Sequence, residues 1–515
     1  MGDRPNLASW LPALLGGALA GWAMAPPAWG PLQLAAVPLL WLALALLWRQ
    51  QGRPGARRRS ALWGGLAVVV SHRWLLALHP LDWIGVPLPL SLPLCWLLLL
   101  VCGALAAVLL LIWSSLAQRL GPRHLGRAAL LAALWGLVEV LLARAPLFWL
   151  GLGGAALPGN PALAGVAALG GSGLVAALQV LIGWGLWRLL EQRATVARWS
   201  AAALLLVAVH AVGALQLQVG GPGGWMKAAA MAAPEGRSQR VLLVQPAVPT
   251  REKQQWQARR RVERQLRDAL VAAEAADADL VLLPEGALGL EPVLAEPAAV
   301  ELISGGFRWP PTDPPGARGE VAGPQAQRSA LLRWAPGERR FSGALDKHRL
   351  VPLGEWVPFS GLVGWSGLSA VGGVQPGEAS RLLERPAGPV AAAICYEIAD
   401  GVGLRQAVRP GAGWLLASAN LDPYPPLLQR QYTALAQLRA IEAGRWLVSV
   451  ANTGPSQLIN PQGQVRSSLP PGRPATGLVV VPVGEGLTGY GRWGELPLLA
   501  LALTGLLLGQ RGPIP

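Results

Sequence analysis

The sequence predicts a protein of two parts: a multi-span α-helical membrane domain and a layered α/β domain outside the membrane. Apolar runs long enough to cross a bilayer occupy the first two fifths of the chain and recur near its end. Arginine-rich loops alternate with loops nearly free of charge between these runs. From about residue 219 acidic residues become frequent, and short apolar strands alternate with helical segments. The predicted domains are therefore 1–218, 219–492 and 493–515.

The apolar runs are each close to the length that a membrane-crossing helix needs. The chain is 52% hydrophobic and only 14% charged, which is too apolar for an ordinary soluble enzyme. The first run is interpreted as a retained span, because no convincing small-residue cleavage site follows it. A large soluble protein with buried core helices is the alternative, and the charge alternation of the loops argues against it. We place the eight spans near 6–24, 33–48, 60–79, 91–113, 128–147, 164–187, 199–217 and 494–509.

Loop charge predicts the orientation of these spans. Five arginines lie in the loop 49–59, and three lie in each of the segments 118–127 and 188–198. The intervening loops carry a single charge, Asp82. Because positively charged loops stay in the cytoplasm, the N-terminus is expected inside. Seven spans then deliver the segment 219–492 to the outer side, and the eighth span returns the tail to the inside.

The long outer segment has the pattern of a layered α/β sandwich. Its composition changes at 220–225, and Pro- and Gly-rich sequence fills 304–325. Residues 252–275 form an amphipathic helix in which Val262, Leu266 and Ala273 share one face. A second helix is predicted at 429–443. Apolar strands are predicted within 240–249, 279–288, 390–398, 413–420 and 445–465.

Cysteine and histidine usage narrows the chemistry. Three cysteines cannot build a disulfide framework, and no Cys/His cluster has the spacing of metal ligands, so no metal or other cofactor is expected. Cys95 and Cys102 lie in an apolar run and are expected to pack there. A net charge of +15 suggests nucleic acid for a soluble protein, but here the basic residues flank the apolar runs and indicate a membrane instead.

Three polar residues follow predicted strands of the outer segment or lie in a motif-like stretch beside them. Glu285 follows 279–283, Lys347 is one of only three lysines in the chain, and Cys395 ends the strand in AAAICYEIAD. Each alone has a structural interpretation: a core cysteine, a capping glutamate or a surface lysine. Together at one rim of a sheet they suit acyl transfer. A thiolate attacks acyl carbons, a glutamate can act as general base, and a lysine can stabilise an oxyanion.

The stretches LLPEGAL, DKHRLVPLGEWVPF and ICYEI, in that order, resemble the Glu–Lys–Cys motifs of the carbon–nitrogen hydrolase (nitrilase) superfamily. That resemblance implies an α-β-β-α sandwich for the outer domain. The stretch LVPLGEWVP and the arrangement of spans resemble the apolipoprotein N-acyltransferase family, as does WGLVEVLLARAPLFWLGLG at 135–153. One stretch departs from the family pattern, since LDPYPP (421–426) stands where a Trp-Phe-Gly stretch is usual.

The resemblance implies a role for each residue that matches a motif. Glu285 is then the general base, Lys347 the oxyanion-stabilising cation, Cys395 the acyl-accepting nucleophile and Glu355 a second essential carboxylate. Supporting residues are expected at three further positions: Tyr396, Glu397 and Tyr424. The backbone N–H of Tyr396 is also a candidate oxyanion donor.

The same resemblance implies the substrates and the cellular location. A membrane phospholipid is the expected acyl donor, and a diacylated apolipoprotein is the expected acceptor, at its free N-terminal amine. The protein is expected to be monomeric and to lie in the bacterial cytoplasmic membrane with its catalytic domain on the periplasmic side. Two alternatives remain open from the residues: a membrane-tethered amidase or nitrilase that uses water, and a non-catalytic membrane scaffold.

Overall fold

The structure is a computed structural model that describes residues 9–510 except 29, 147, 219–236, 254, 311–326, 353 and 357–373. The predicted domain boundary near 219, the composition change at 220–225 and the end of the tail therefore lie outside the described residues. The helices of the N-terminal part are α1 (Leu11–Ala23), α2 (Gly30–Gln50), α3 (Ala56–Ser71), α4 (Leu88–Leu120), α5 (Leu125–Leu142), α6 (Gly151–Gly154), α7 (Pro161–Ala164), α8 (Ala167–Glu191) and α9 (Val196–Gln218).

Most of the predicted apolar runs form helices at the expected places. Five of them, α2, α4, α5, α8 and α9, are long and apolar enough to cross a membrane. Two further apolar helices are shorter: α1 and, near the C-terminus, α14 (Leu496–Gln510). The many exposed leucines and valines on α4, α9 and α14 are those that a lipid environment covers. A multi-span helical membrane part is thus present.

Two predicted runs differ in detail from the observed helices. The run 60–79 divides into α3 and a 3₁₀ segment, Arg73–Leu78, because the chain turns at His72. The run 164–187 contains a kink at Gly170 and Gly171 inside α8. Gly171 has φ +74°, and a Cβ there would lie 2.5 Å from the Tyr490 ring, so the close approach of that ring requires glycine.

The described residues between 237 and 495 form twelve strands in two sheets of six. The first sheet has the order β12-β1-β2-β3-β4-β5 and the second β11-β10-β9-β8-β7-β6. The strands are β1 (Ser238–Gln245), β2 (Leu280–Leu282), β3 (Glu301–Arg308), β4 (Arg328–Trp334), β5 (Gly343–Asp346), β6 (Leu382–Leu383), β7 (Val390–Ile394), β8 (Trp414–Ala419), β9 (Leu447–Ala451), β10 (Gln457–Ile459), β11 (Val465–Ser468) and β12 (Ala475–Pro482). The helices are α10 (Trp256–Ala275), α11 (Gly401–Val408), α12 (Pro426–Ala443) and α13 (Gly489–Trp493).

The two sheets pack face to face with helices on both outer sides. Apolar side chains from β1, β2, β7, β8 and β9 fill the space between the sheets. The predicted face of α10 covers the first sheet, with Val262, Leu266 and Ala273 buried. Helices α11 and α12 cover the second sheet. The α-β-β-α sandwich implied by the resemblance is confirmed.

Three strands of the first sheet, β3, β4 and β12, were not predicted, and neither was β6 of the second sheet. The Pro- and Gly-rich segment 304–325 begins inside a strand, because 304–308 belong to β3. The sequence Ser304-Gly305-Gly306 gives no strand signal on its own, and pairing with β2 and β4 stabilises it. Glu301 at the start of β3 is buried between Arg333 and Arg385, at 2.5 and 2.6 Å. This long-range ionic network cannot be read from local sequence.

Helix α12 joins the two parts of the protein. Thirteen of the eighteen residues of α12 are buried, because one face lies on the second sheet and the other on the membrane helices. The apolar core of the helical part and the core under the second sheet are continuous. Arg349 adds a polar connection, since its guanidinium donates to the carbonyls of Ala143 and Ala145 just beyond α5. The chain after β5 is thereby held against the membrane part.

Candidate active site

Cys395 lies at the carboxyl end of β7, at the first residue of a 3₁₀ turn. Its φ is +57°, a left-handed conformation that costs a non-glycine residue about 1–3 kcal/mol. Its residue surface is 7% exposed. The strand directs the thiol to the rim of the second sheet, where carboxyl ends of parallel strands β7, β8 and β9 meet.

Lys347 follows β5 and lies between two glutamates. Its Nζ donates to Glu285 Oε1 at 2.7 Å and to Glu355 Oε1 at 2.8 Å. Lys347 is 1% exposed, so both ion pairs lie away from water. An ammonium group has three N–H donors, and these two bonds use two of them. The structure brings the predicted lysine and both predicted carboxylates into direct contact.

Glu285 is held from three directions. Its Oε1 accepts from Lys347, and its Oε2 accepts from the backbone N–H of Asn420 at 3.0 Å. Gly305 on the neighbouring β3 has no room for a side chain, because a Cβ there would lie 2.4 Å from Glu285 Cα. A glutamate fixed in this way is preorganised for proton transfer.

Electrostatics favours a neutral thiol at Cys395 in the resting site. Burial raises the pKa of the Cys395 thiol well above its ordinary value, and Glu285 raises it further. Lys347 and the N–H of Tyr396 oppose this increase. Burial also raises the pKa of Glu355. Burial alone would lower the pKa of Lys347, but the two carboxylates hold it well above its ordinary value. The lysine therefore stays charged, and the cysteine needs a base.

Alkylation of Cys395 should follow this raised pKa. We expect its reaction with iodoacetamide to keep accelerating as pH increases through 9, because the thiolate fraction is still small there. Peptide mapping by mass spectrometry separates Cys395 from Cys95 and Cys102. A rate that levels off below pH 8 would instead reveal a preformed thiolate–ammonium pair and would contradict this description.

Glu397 supports the site from beneath. Its carboxylate accepts from the backbone N–H groups of Ile394, His348 and Arg349 at 2.9–3.0 Å, and Arg381 pairs with it at 2.8 Å. It therefore connects the end of β7 to the segment that carries Lys347. Glu397 is 1% exposed and does not face the cavity described below.

Tyr396 is also buried, and its hydroxyl donates to the Leu350 carbonyl at 2.9 Å. The Arg349 guanidinium lies 4.9 Å from its ring centroid. A hydrogen bond from its backbone N–H to Cys395 lowers the pKa of the thiol. An N–H in this position is a candidate oxyanion donor. The side chain itself is a structural anchor rather than a group that faces the cavity.

Tyr424, in the stretch that departs from the family pattern, lies beside the cavity. Its ring stacks edge-on against Trp74 of the membrane part, with centroids 5.8 Å apart. Burial raises the pKa of its hydroxyl well above its ordinary value. The unusual stretch thus still supplies an aromatic side chain between the site and the membrane helices.

A cavity of about 600 Å³ opens in front of these residues. Its lining includes Cys395, Lys347, Glu285, Glu355 and Tyr424. That volume is within the usual range for small-ligand sites. No cluster of His, Cys, Asp or Glu able to hold a metal ion occurs in the part of the chain that the structure describes.

Sequence reasoning missed two contributors to the cavity. Asn420 acts through its backbone N–H, which no side-chain pattern reveals. Lys253 lines the cavity, and its Nζ donates to the Gly286 carbonyl at 3.2 Å. Burial lowers the pKa of Lys253 to about 8. The scarcity of lysine in this chain was the signal that could have drawn attention to it.

Two stacked sheets with flanking helices, and a glutamate, lysine and cysteine at their rim, define a carbon–nitrogen hydrolase domain. The carbon-nitrogen hydrolase family model matches residues 334–483. The model of the apolipoprotein N-acyltransferase N-terminal domain matches residues 16–185. A nitrilase-superfamily structure from Saccharomyces cerevisiae covers 48% of this chain and 91% of its own, at 14% identity and a TM-score of 0.35.

Full-length relatives extend the match over both parts. The apolipoprotein N-acyltransferase of Prochlorococcus marinus strain MIT 9313 is 46% identical over 98% of this chain and 96% of its own length. That of Parasynechococcus marenigrum strain WH8102 is 46% identical over 94% of this chain and 96% of its own. The chain belongs to the apolipoprotein N-acyltransferase family. It is a membrane protein and an acyltransferase.

Proposed function

We propose that the protein transfers an acyl chain from a membrane phospholipid to the α-amine of the N-terminal diacylglyceryl-cysteine of apolipoproteins. The acyl chain passes through a thioester on Cys395. The observation that carries this proposal is the buried cluster of Glu285, Lys347 and Glu355 in the cavity that Cys395 lines, directly beside the membrane helices. Family membership supplies the substrate classes.

In the first half-reaction Glu285 removes the thiol proton as Cys395 sulfur attacks the ester carbonyl of the phospholipid. The oxyanion that forms accepts hydrogen bonds from the third N–H of Lys347 and from the backbone N–H of Tyr396. Each such donor stabilises the transition state by about 3 kcal/mol. Collapse breaks the carbon–oxygen bond to glycerol. Glu285 returns its proton to the departing alkoxide, and a lysophospholipid leaves.

In the second half-reaction the neutral α-amine of the acceptor attacks the thioester carbonyl. The same donors hold the oxyanion, and collapse breaks the carbon–sulfur bond. Glu285 takes a proton from the amine and delivers it to the Cys395 thiolate. The amide product leaves, and the enzyme returns to the neutral thiol that its raised pKa favours.

Glu355 acts on Lys347 rather than on substrate in this scheme. One of its oxygens accepts from Lys347 and the other from the Val351 backbone N–H at 2.8 Å. These bonds fix the ammonium where it meets the oxyanion. We assign Glu355 as a positioning residue. Glu397 is a positioning residue as well, because it holds the backbone on both sides of the site.

Both substrates keep their acyl chains in the bilayer, so the cavity should open at the membrane surface. Contact between Tyr424 and Trp74 places the cavity wall against the helical part. With the loop charges described above, this arrangement favours a site at the outer face of the cytoplasmic membrane, with residues 1–218 and 493–515 in or next to the bilayer. We propose that the enzyme acts there as a monomer.

Discharge of the acyl-enzyme by different acceptors tests this proposal. Purified protein loaded from labelled phospholipid should transfer its acyl chain to a diacylated lipopeptide that has a free N-terminal amine. The same peptide with an acetylated amine should leave the thioester intact, because it offers no nucleophile. Rapid loss of the thioester in water without a peptide would identify a hydrolase, and failure of any acyl-enzyme to form would identify a scaffold.

A further inference from the structure

We propose that Arg73 and Arg430 together form a binding site for the phosphodiester anion of a phospholipid. This inference rests on the proposed function, since it assigns the headgroup position of the acyl donor. The two arginines come from different parts of the protein. Arg73 begins the 3₁₀ segment after α3, and Arg430 lies in the first turn and a half of α12.

The two guanidinium groups converge on consecutive carbonyls just after α1. Arg73 Nη2 donates to the Ala25 carbonyl at 3.1 Å, and Arg430 Nη2 donates to the Pro26 carbonyl at 3.3 Å. A further bond from Arg73 Nη1 to the Val70 carbonyl, at 2.7 Å, fixes its direction. Both groups therefore keep several N–H donors for another partner, since each guanidinium has five.

Arg73 is exposed and Arg430 is half-buried, and they differ from three arginines of the sandwich that pair with carboxylates. Arg308, Arg333 and Arg385 each pair with a carboxylate at 2.5–2.6 Å. Within the described residues, neither Arg73 nor Arg430 forms an ion pair. Burial and the charge of Arg73 both lower the pKa of Arg430, so the two cations repel each other. A bound anion would remove that repulsion.

The residue that follows Arg73 connects this pair to the wall of the cavity. Trp74 follows Arg73 directly and contacts Tyr424 in the cavity wall. Its indole N–H is buried and has no acceptor among the described residues. On the predicted topology Arg73 and Pro26 both lie at outer ends of spans, which is the depth of lipid phosphates.

A phosphodiester suits these donors better than other anions. Guanidinium groups bind phosphate oxygens through paired, charge-assisted hydrogen bonds, and two of them can bind separate oxygens of one phosphate. A phospholipid presents that group a few bonds from its acyl ester. Inorganic phosphate has the same chemistry, so the experiment must separate the two sources.

The test compares a phospholipid with a diacylglycerol that has the same acyl chains but no phosphate. Binding is measured by native mass spectrometry in the Cys395→Ala background, where chemistry cannot consume the lipid. We expect Arg73→Gln and Arg430→Gln each to weaken phospholipid binding about tenfold, the effect of losing one charge-assisted contact. Diacylglycerol binding should change less than about twofold by the same argument. Arg430→Lys should retain part of the affinity for phospholipid. The control is Arg409→Gln, which changes an exposed arginine of the same domain and should leave phospholipid binding unchanged.

Acylation of Cys395 provides a second readout in protein that keeps the cysteine. The two Gln variants should slow acylation from phospholipid and leave acylation from diacylglycerol nearly unchanged. Equal losses with both lipids, or no loss with phospholipid, would overturn the inference. A third measurement uses a fluorescent fatty acid as a displaceable probe of the site. Displacement of this probe by inorganic phosphate, but not by phospholipid, would show that the site binds free phosphate and would also overturn the inference. Absence of acylation with normal phospholipid binding would instead count against the proposed function alone.

Discussion

Lys347→Met is expected to abolish acyl transfer and also to destabilise the protein. The methionine removes the only cation in direct contact with both Glu285 and Glu355 within the described structure. Two buried carboxylates would then lie close together without a cation between them, although each keeps one backbone N–H donor. Breaking a buried ion pair typically costs about 3–5 kcal/mol of folding free energy. Thermal unfolding in detergent, followed by tryptophan fluorescence, measures the stability change, and labelled phospholipid measures the activity.

A second substitution separates the two effects of Lys347. Adding Glu355→Gln to Lys347→Met removes one of the opposed charges and should recover part of the lost stability. Activity should not return, because the oxyanion still lacks its cation. Full stability in the single variant, or activity in the double variant, would show that the lysine does not have the role assigned here.

Glu285→Gln is the second change with a large expected effect. Glutamine keeps the size of the side chain, and its one carbonyl oxygen can still accept from Lys347, but its NH2 group replaces the oxygen that accepts from the Asn420 backbone N–H. Only this one hydrogen bond is lost, so the fold should be retained. It cannot take the thiol proton, and loss of a general base typically reduces rate about 10²–10⁴-fold. We expect formation of the acyl-enzyme, followed by intact-protein mass spectrometry, to decrease by this amount.

The control for this substitution is Glu274→Gln, which changes an exposed glutamate on α10. It should form the acyl-enzyme at the normal rate. Loss of the negative charge at position 285 also removes one of the causes of the raised Cys395 pKa. Iodoacetamide should therefore react faster with Glu285→Gln than with the unaltered protein at pH 8. Slower alkylation together with slower acylation would indicate a misfolded site rather than a missing base.

The helical part was predictable because its signal is local. Each apolar run forms its own backbone hydrogen bonds in a membrane, so length and composition are enough to place it. The end of α3 was less predictable, since the turn at His72 places Trp74 against the α/β domain. That geometry depends on contacts with residues several hundred positions away.

The candidate site was predictable to the extent that strand ends and motif resemblance define it. Glu285, Lys347 and Cys395 follow β2, β5 and β7 as expected, and Glu355 reaches Lys347. The backbone donor at Asn420 and the positive φ of Cys395 were not predictable, because they arise from the packing of two sheets. The resemblance, more than the periodicity, identified which cysteine matters.

Mass spectrometry of the purified protein, after incubation with labelled phospholipid and without acceptor, tests whether Cys395 carries the acyl chain. We expect one added acyl chain, mapped by peptide analysis to Cys395 and released by hydroxylamine as a thioester. Cys395→Ala should carry none. A stable acyl chain on another residue, or acyl transfer to lipopeptide that persists in Cys395→Ala, would show that Cys395 is not the acyl carrier.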